Sequence, residues 1–346
     1  MQLQPINELL RQAITAEAEL DDRYVSERQI IYTTLHHHHI ERFRLNANHQ
    51  TYIFKPLSLQ QQCYQELWTY THVMPLLPDL YPQLLAYSAT DKLSFYSKDD
   101  RPAWIILEDA GTLNHFHTEQ TLFYMIDQMV KWHRIPILSI PELPGDGQKP
   151  SILVMTEQLL SQWGTFEIFV QQHIKPNNSQ TRWLHRMPVL KQTIQQHSWT
   201  MSEVLCHGDL HAGNYGYNLA GRCIILDWEH CHRNTPLWDL YHLIDLSHPL
   251  FPRAMNIDLR LQLLSYYWEQ QVNPTISKSQ MIQEYVIFAI VFSSWMLLLI
   301  QQDLQQDQPI WSHEQLRLQQ TEVWDHLEQC IQMWHSTIID YSTKEK

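Results

Sequence analysis

Val204 to Glu229 reads VLCHGDLHAGNYGYNLAGRCIILDWE, and this stretch decides how the rest of the chain is read. The apolar, β-branched run Cys223-Ile224-Ile225-Leu226 predicts a short strand that delivers Asp227 at its end. Upstream lies a turn, His207-Gly208-Asp209-Leu210-His211-Ala212-Gly213-Asn214. Of the 8 glycines in the protein, Gly208, Gly213, Gly216 and Gly221 all fall here. Glycine goes where backbone turns tightly or approaches another group closely. Their concentration marks a site.

Asp209 and Asn214 stand at the spacing D-x-x-x-x-N. In catalytic loops with that spacing the carboxylate accepts a hydroxyl proton and the amide holds a metal ion. Asp227, closing a strand shortly afterwards, is where such a site places a second metal-binding carboxylate. Mg²⁺ takes oxygen ligands, commonly one or two carboxylates plus substrate phosphates, which suits Asn214 and Asp227 and leaves Asp209 as base. A plainer reading makes the Asp and Asn helix caps and the His a satisfied core residue. It leaves unexplained why base, amide and second carboxylate recur together in that order. A third reading is a metal-dependent hydrolase of H-x-D-x-H type, built from His207, Asp209 and His211 with Asp227, His230 and His232. Imidazoles suit zinc, but this reading gives Lys55, Glu66 and Asn214 nothing to do.

HGDLHAGN followed by ILDWE resembles the aminoglycoside phosphotransferase and choline kinase family, which shares the protein-kinase fold. The resemblance implies an α+β, bilobal protein-kinase-like fold with a small β-rich N-lobe and a large, mainly helical C-lobe. It also implies ATP as phosphoryl donor, Mg²⁺ as cofactor and a small-molecule hydroxyl as acceptor, on an aminoglycoside, an amino alcohol or a natural-product intermediate. His207 would support the loop, Asp209 act as catalytic base, and Asn214 and Asp227 bind metal. A nucleotide-binding pseudokinase would share the fold, but intact Asp209, Asn214 and Asp227 speak against it.

Toward the N-terminus, Ile6, Leu9, Leu10 and Ile14 predict a surface helix over 1–19. Strand-like runs follow at 28–32, 40–45 and 51–54, a β-meander whose third strand ends in Lys55. Ser58 and Gln61 form a capping box for a helix over 59–72. On that helix Leu59, Cys63, Glu66, Leu67 and Tyr70 share one face. Glu66 is therefore a carboxylate on an apolar stripe, and a buried charge needs a partner. Lys55 is the natural one. By resemblance the pair turns the lysine onto the nucleotide phosphates. No glycine precedes Gly111, so no Gly-rich loop covers the phosphates. The His36–His39 run offers N–H groups to phosphate or a weak metal site, but reads best as a solvated loop. Trp104-Ile105-Ile106-Leu107 predicts a buried strand, and Glu108, Asp109 and Ala110 after it resemble the hinge whose backbone faces adenine. The expected division is a nucleotide-binding lobe over 1–109 and a catalytic and substrate-binding lobe over 110–346.

Leu122 to His133 trace an amphipathic helix, whose Trp132-His133 end resembles the family helix that buttresses the catalytic loop. Residues 135–150 read as a loop, and 151–200 as two or three helices broken at Pro176 and Pro188. Pro236-Leu237-Trp238-Asp239-Leu240 resembles the segment in which an Asp at a helix start bonds back to the catalytic loop. From Leu259 onward the chain reads as helical. The apolar run at 285–300 is shorter than the roughly 20 residues of a membrane span and predicts a core helix. A formal net charge of -13 argues against a nucleic-acid partner. Five Cys with no C-x-x-C pair, and an N-terminus without a basic-then-apolar pattern, point to a cytoplasmic protein.

Overall fold

Five antiparallel strands, β1 (Val25–Thr33), β2 (His39–Leu45), β3 (Thr51–Leu57), β4 (Leu84–Tyr87) and β5 (Ala103–Glu108), lie in the order β1-β2-β3-β5-β4. This computed structural model describes residues 3–33, 38–57, 63–77, 80–88, 103–173, 178–272 and 274–344. Alternation along the strands sorts side chains onto two faces. Tyr52, Phe54, Trp104 and Ile106 pack with Leu10 and Ala13, at and just past the end of α1 (Leu3–Gln12). Leu57, Ile105 and Leu107 pack on the other face against Leu67 of α2 (Cys63–His72). Leu67 and Ile105 are fully buried, each contributing about 2 kcal/mol by removal from water. Lys55 lies between Ile53 and Leu57 in the alternation, so it projects from the α2 face. The strand period places it.

The first helix ends at Gln12 rather than Glu19. Thr15 N–H bonds to Glu19 O at 2.8 Å and Asp21 N–H to Ala13 O at 2.9 Å, so the chain doubles back on itself instead of continuing the helix. The third strand runs past Lys55 to Leu57, because Pro56 and Leu57 stay in register with Trp104 and Ala103. β4 was not anticipated; it pairs with β5 on the far side from β3. The Ser58–Gln61 capping box, and His36 and His37, lie outside the described residues.

The chain divides into two compact units. The first gathers Met1–Phe116, Ile135–Pro144 and Asn214–His232, and the second His117–Arg134, Gly145–Gly213 and Arg233–Lys346. The second unit is mainly helical: α3 (Glu119–His133), α4 (Ile152–Ser161), α5 (Trp163–His173), α6 (Asn178–Gln196), then the short strand β6 (Val204–Cys206). Pro188 was expected to break a helix, but it lies inside α6. Met187, Leu190 and Ile194 around it are buried, and that packing offsets the roughly 3 kcal/mol a mid-helix proline costs. The first unit also holds the ribbon of β7 (Tyr215–Tyr217) with β8 (Cys223–Ile225). The second continues with α7 (Leu237–Ile244), α8 (Ile257–Glu269), α9 (Lys278–Asp303) and α10 (His313–Lys344). Among the described residues α9 alone is long and apolar enough to cross a membrane, yet 78% of its apolar window is buried. It packs against α4 and α10, with a Ser277/Gln280 capping box at its start.

Candidate active site

In the first unit, the α2 face of β3 carries the expected ion pair. Lys55 Nζ lies 2.8 Å from the Glu66 carboxylate, and both groups are largely buried. The same ammonium lies 3.4 Å from Asp227 Oδ1. Burial opposes charge on Lys55, but the carboxylates of Glu66, Asp227 and Glu229 hold its pKa well above the ordinary value. Burial likewise pushes the Glu66 carboxyl up to about 7, against the pull of Lys55. Asp227 follows β8 in the left-handed region (φ 54°, ψ 53°), uncommon for a residue with a side chain. The β7–β8 register, Tyr215 opposite Ile225, sets Asn214 across from Leu226, whose N–H bonds to Asn214 O at 2.8 Å. Two oxygen-bearing side chains, Asn214 and Asp227, thus flank one end of the ribbon. The Asp227 side chain is 49% exposed, unlike the buried carboxylates of the fold. A hard, exposed carboxylate oxygen, with the buried Asn214 amide at the same end of the ribbon, fits Mg²⁺.

At the strand end nearby, the carboxylates of Glu108 and Asp109 hold the fold itself. Glu108 pairs with Arg222 at 2.5 Å, and Asp109 accepts from Arg42 at 3.0 Å and from Gly111 N–H at 2.9 Å. The Ala110 carbonyl accepts from Asn218 Nδ2 at 3.1 Å.

In the second unit the turn after β6 is gripped from below by Asp239, fully buried in the first turn of α7. Asp239 accepts from His207 N–H at 2.8 Å, Gly208 N–H at 3.1 Å and Trp132 Nε1–H at 2.9 Å, and contacts His133 Nε2 at 3.2 Å. Both the segment at 236–240 and the Trp132-His133 helix end therefore do what the sequence suggested. Burial would raise the Asp239 carboxyl, but the His133 hydrogen bond, the positive potential of His133 and His207 and the His207 N–H hold it well below the usual range. Gly208 adopts φ 92°, open to glycine at no cost. Trp238 Nε1–H closes the same turn on Gly208 O at 3.0 Å. A Cβ on Gly213 would sit 2.4 Å from the Phe251 ring and 2.8 Å from His211, so a larger residue would force those rings to move.

The turn presents Asp209, whose N–H is tied to His207 Nδ1 at 3.2 Å. Lys149 Nζ lies 2.8 Å from Asp209 Oδ1, His211 Nε2 3.5 Å from Oδ2 and His242 Nε2 3.8 Å from Oδ1. Burial acts to raise Asp209; the positive charge of Lys149 beside it holds it far below the carboxylate range. Asp209 is an ionised, anchored, partly accessible carboxylate. Nothing in the sequence singled out Lys149, His242 or His248: a lone lysine in a Pro- and Gly-rich loop carries no pattern. Among the described residues the one set of His, Cys, Asp or Glu with ligand atoms mutually within 4.8 Å is His133, Cys206 and Asp239, and Asp239 there is already engaged by other donors. The H-x-D-x-H hydrolase arrangement is not formed. The ring nitrogens of His207 and His211 instead accept from the Asp209 and Gly213 N–H groups.

No curated protein matches this sequence. Solved structures do match in shape. A choline kinase from Cryptosporidium parvum Iowa II is 14% identical, with 98% of this chain and 98% of that one covered and a TM-score of 0.55. A spectinomycin phosphotransferase in complex with ADP and spectinomycin is 15% identical over 95% and 98%, TM-score 0.53. An aminoglycoside phosphotransferase from Alicyclobacillus acidocaldarius is 10% identical over 94% and 96%, TM-score 0.53. At such identities the likeness shows the α+β kinase-like fold. The model of the phosphotransferase enzyme family matches residues 35–270, more than half of the sequence. That match spans the loops that carry Asp209, Asn214 and Asp227, and the chain belongs to the phosphotransferase enzyme family.

Proposed function

We propose that this phosphotransferase, which uses ATP to phosphorylate a hydroxyl group of a small molecule, takes an amine-bearing acceptor and runs on Asp209, Lys55, Glu66, Asn214 and Asp227. The observation that carries the reading is the ion pair of Lys55 with Glu66, with Asp227 on the same ammonium. A surface lysine has no need of two carboxylates.

Asp209 takes the proton of the acceptor hydroxyl as its oxygen bonds to the γ-phosphorus. The bond from that phosphorus to the β,γ-bridging oxygen breaks, ADP leaves with the electron pair, and the proton passes from Asp209 to solvent. His207 holds the base by accepting the Asp209 N–H, and Asp239 holds the turn beneath both. Lys55, steadied by Glu66, binds the nucleotide phosphates, and backbone of Glu108, Asp109 and Ala110 meets the adenine. Asn214 and Asp227 would hold Mg²⁺, which when bound neutralises charge on the phosphates. Residues 1–109 act as the nucleotide-binding lobe and 110–346 as the catalytic and acceptor lobe. Asn214 and Asp227, though late in the sequence, pack within the first unit.

The amine preference is supported by the solved structures, whose names cite choline kinase and aminoglycoside phosphotransferase, and by a net charge of -13. Cysteines without paired spacing fit the cytoplasm. ADP release from Mg-ATP, measured against matched panels of amino alcohols, aminoglycosides, and neutral sugars or alcohols, tests the reading. Stimulation by members of the amine panels is the expected outcome. Stimulation confined to neutral acceptors would overturn the amine preference.

A further inference from the structure

Beside Asp209 an imidazole lone pair faces the carboxylate, a repulsive pairing unless a donor shares the corner. His242 is fully buried on α7. Its Nδ1–H donates to Trp238 O at 2.8 Å, which leaves Nε2 as the acceptor nitrogen. Nε2 finds no hydrogen-bond partner among the described residues and lies 3.8 Å from Asp209 Oδ1. Burial, and after it the charge of Lys149, holds this imidazole down at about 3, so it is neutral in the working range. On the other side, Gly213 N–H donates to His211 Nδ1 at 3.0 Å, so Nε2 carries the hydrogen that faces Asp209 Oδ2. His248 stacks on His211 with centroids 4.4 Å apart. Burial lowers His211 to about 4 and lowers His248 as well.

Lys149, His207, His211, His242 and His248 face Asp209, and of these five the lysine is the fixed cation. It is also held in place. Pro150 restricts the residue before it to extended backbone, and Ser151 is anchored as the N-cap of α4. The Lys149 side chain is 19% exposed.

We propose that Lys149 is a positioning residue of the phosphoryl transfer, whose ammonium clamps Asp209 Oδ1 in the corner that His242 Nε2 alone would make repulsive. This rests on the reading of Asp209 as base. The clamp keeps the carboxylate ionised and fixes its orientation toward the acceptor hydroxyl. Lys149 itself takes no proton in the step.

The test follows ADP release from Mg-ATP, with water as acceptor, across about pH 5 to 9 in wild type, Lys149→Met, Lys149→Arg and Asp209→Asn. In Lys149→Met the uncompensated burial raises the pKa of Asp209. With Asp209 no longer held far below the carboxylate range, an acid limb absent from wild type should enter this window, with release about tenfold lower at about pH 5 than at alkaline pH. Lys149→Arg should restore the wild-type profile. A Lys149→Met profile that superimposes on wild type, with Asp209→Asn inactive, overturns the clamp alone. Wild-type release by Asp209→Asn overturns the base assignment instead. Where release to water is too slow to time, the carboxyl ¹³C resonance missing from Asp209→Asn decides: it titrates at higher pH in Lys149→Met than in wild type, or the proposal is wrong.

Discussion

Asp209→Asn keeps the volume and shape of the side chain while removing the group that accepts a proton. Turnover should fall by about 10²–10⁴-fold, the usual worth of a general base, while calorimetric titration finds ATP binding unchanged. Near-normal turnover would remove Asp209 from the chemistry. Lys55 and Glu66 act as one unit at 2.8 Å. Lys55→Ala and Glu66→Ala should therefore each impair turnover, with the double variant little worse than either. A double-mutant cycle should give a coupling energy of about 1–3 kcal/mol, and fully additive losses would show that the two residues do not cooperate. At this scale the sequence was legible wherever a residue belonged to a periodic pattern. Glu66 betrayed itself by sitting on an apolar stripe, and Lys55 by ending a strand-like run. Lys149 and His242 left no such trace, because what makes them matter is the distance to a carboxylate far along the chain.

Among elements, the turn His207–Asp209 is held in place by α7 and the end of α3 through one carboxylate. Asp239→Asn would set an amide N–H₂ against N–H donors, leaving buried groups unsatisfied. We expect a loss of about 3 kcal/mol in urea unfolding at pH 7, the scale of breaking a buried charged cluster. The sign of the pH dependence follows from the carboxyl lying below its unfolded value of about 3.9. Its stabilisation is full above that pH and fades as pH falls from there toward the folded value. The gap between wild type and Asp239→Asn should hold constant from about pH 7 to 5 and narrow below about pH 4. A gap that widens on acidification would mean that the carboxylate is not the stabilising form. Most elements were readable from periodicity, but β4 and the exact boundaries were not. The first helix stops at Gln12 because backbone pairing of Thr15 with Glu19 wins over apolar spacing. Pro188 remains inside α6 because buried neighbours outweigh a missing N–H.

For the molecule as a whole, the sequence showed most of the segments but not how the chain shares them out. Asn214–His232 follows the turn that bears Asp209, yet it packs into the first compact unit with Lys55 and Glu66. That exchange depends on long-range pairing, such as Ile225 N–H to Leu80 O at 2.6 Å, which no local pattern encodes. The same stretch bears on the acceptor. In protein kinases a long activation segment follows the metal-binding Asp, docks the peptide and is ordered by phosphorylation. Here a 3₁₀ turn, Trp228–His230, and a short strand, His232–Asn234, follow Asp227, and α7 already begins at Leu237. A connector this short provides neither a platform for a peptide nor a loop for a phosphate to order. The acceptor should be a small molecule, with no protein side chain modified. Incubation of the enzyme with γ-labelled ATP and either a protein extract or its small-molecule fraction separates the two outcomes. Label should transfer to the small-molecule fraction, depend on Asp209, and leave the protein extract at background. Robust labelling of proteins with none in metabolites would mean that the connector's shortness does not exclude a peptide, and that residues beyond 227–237 dock one.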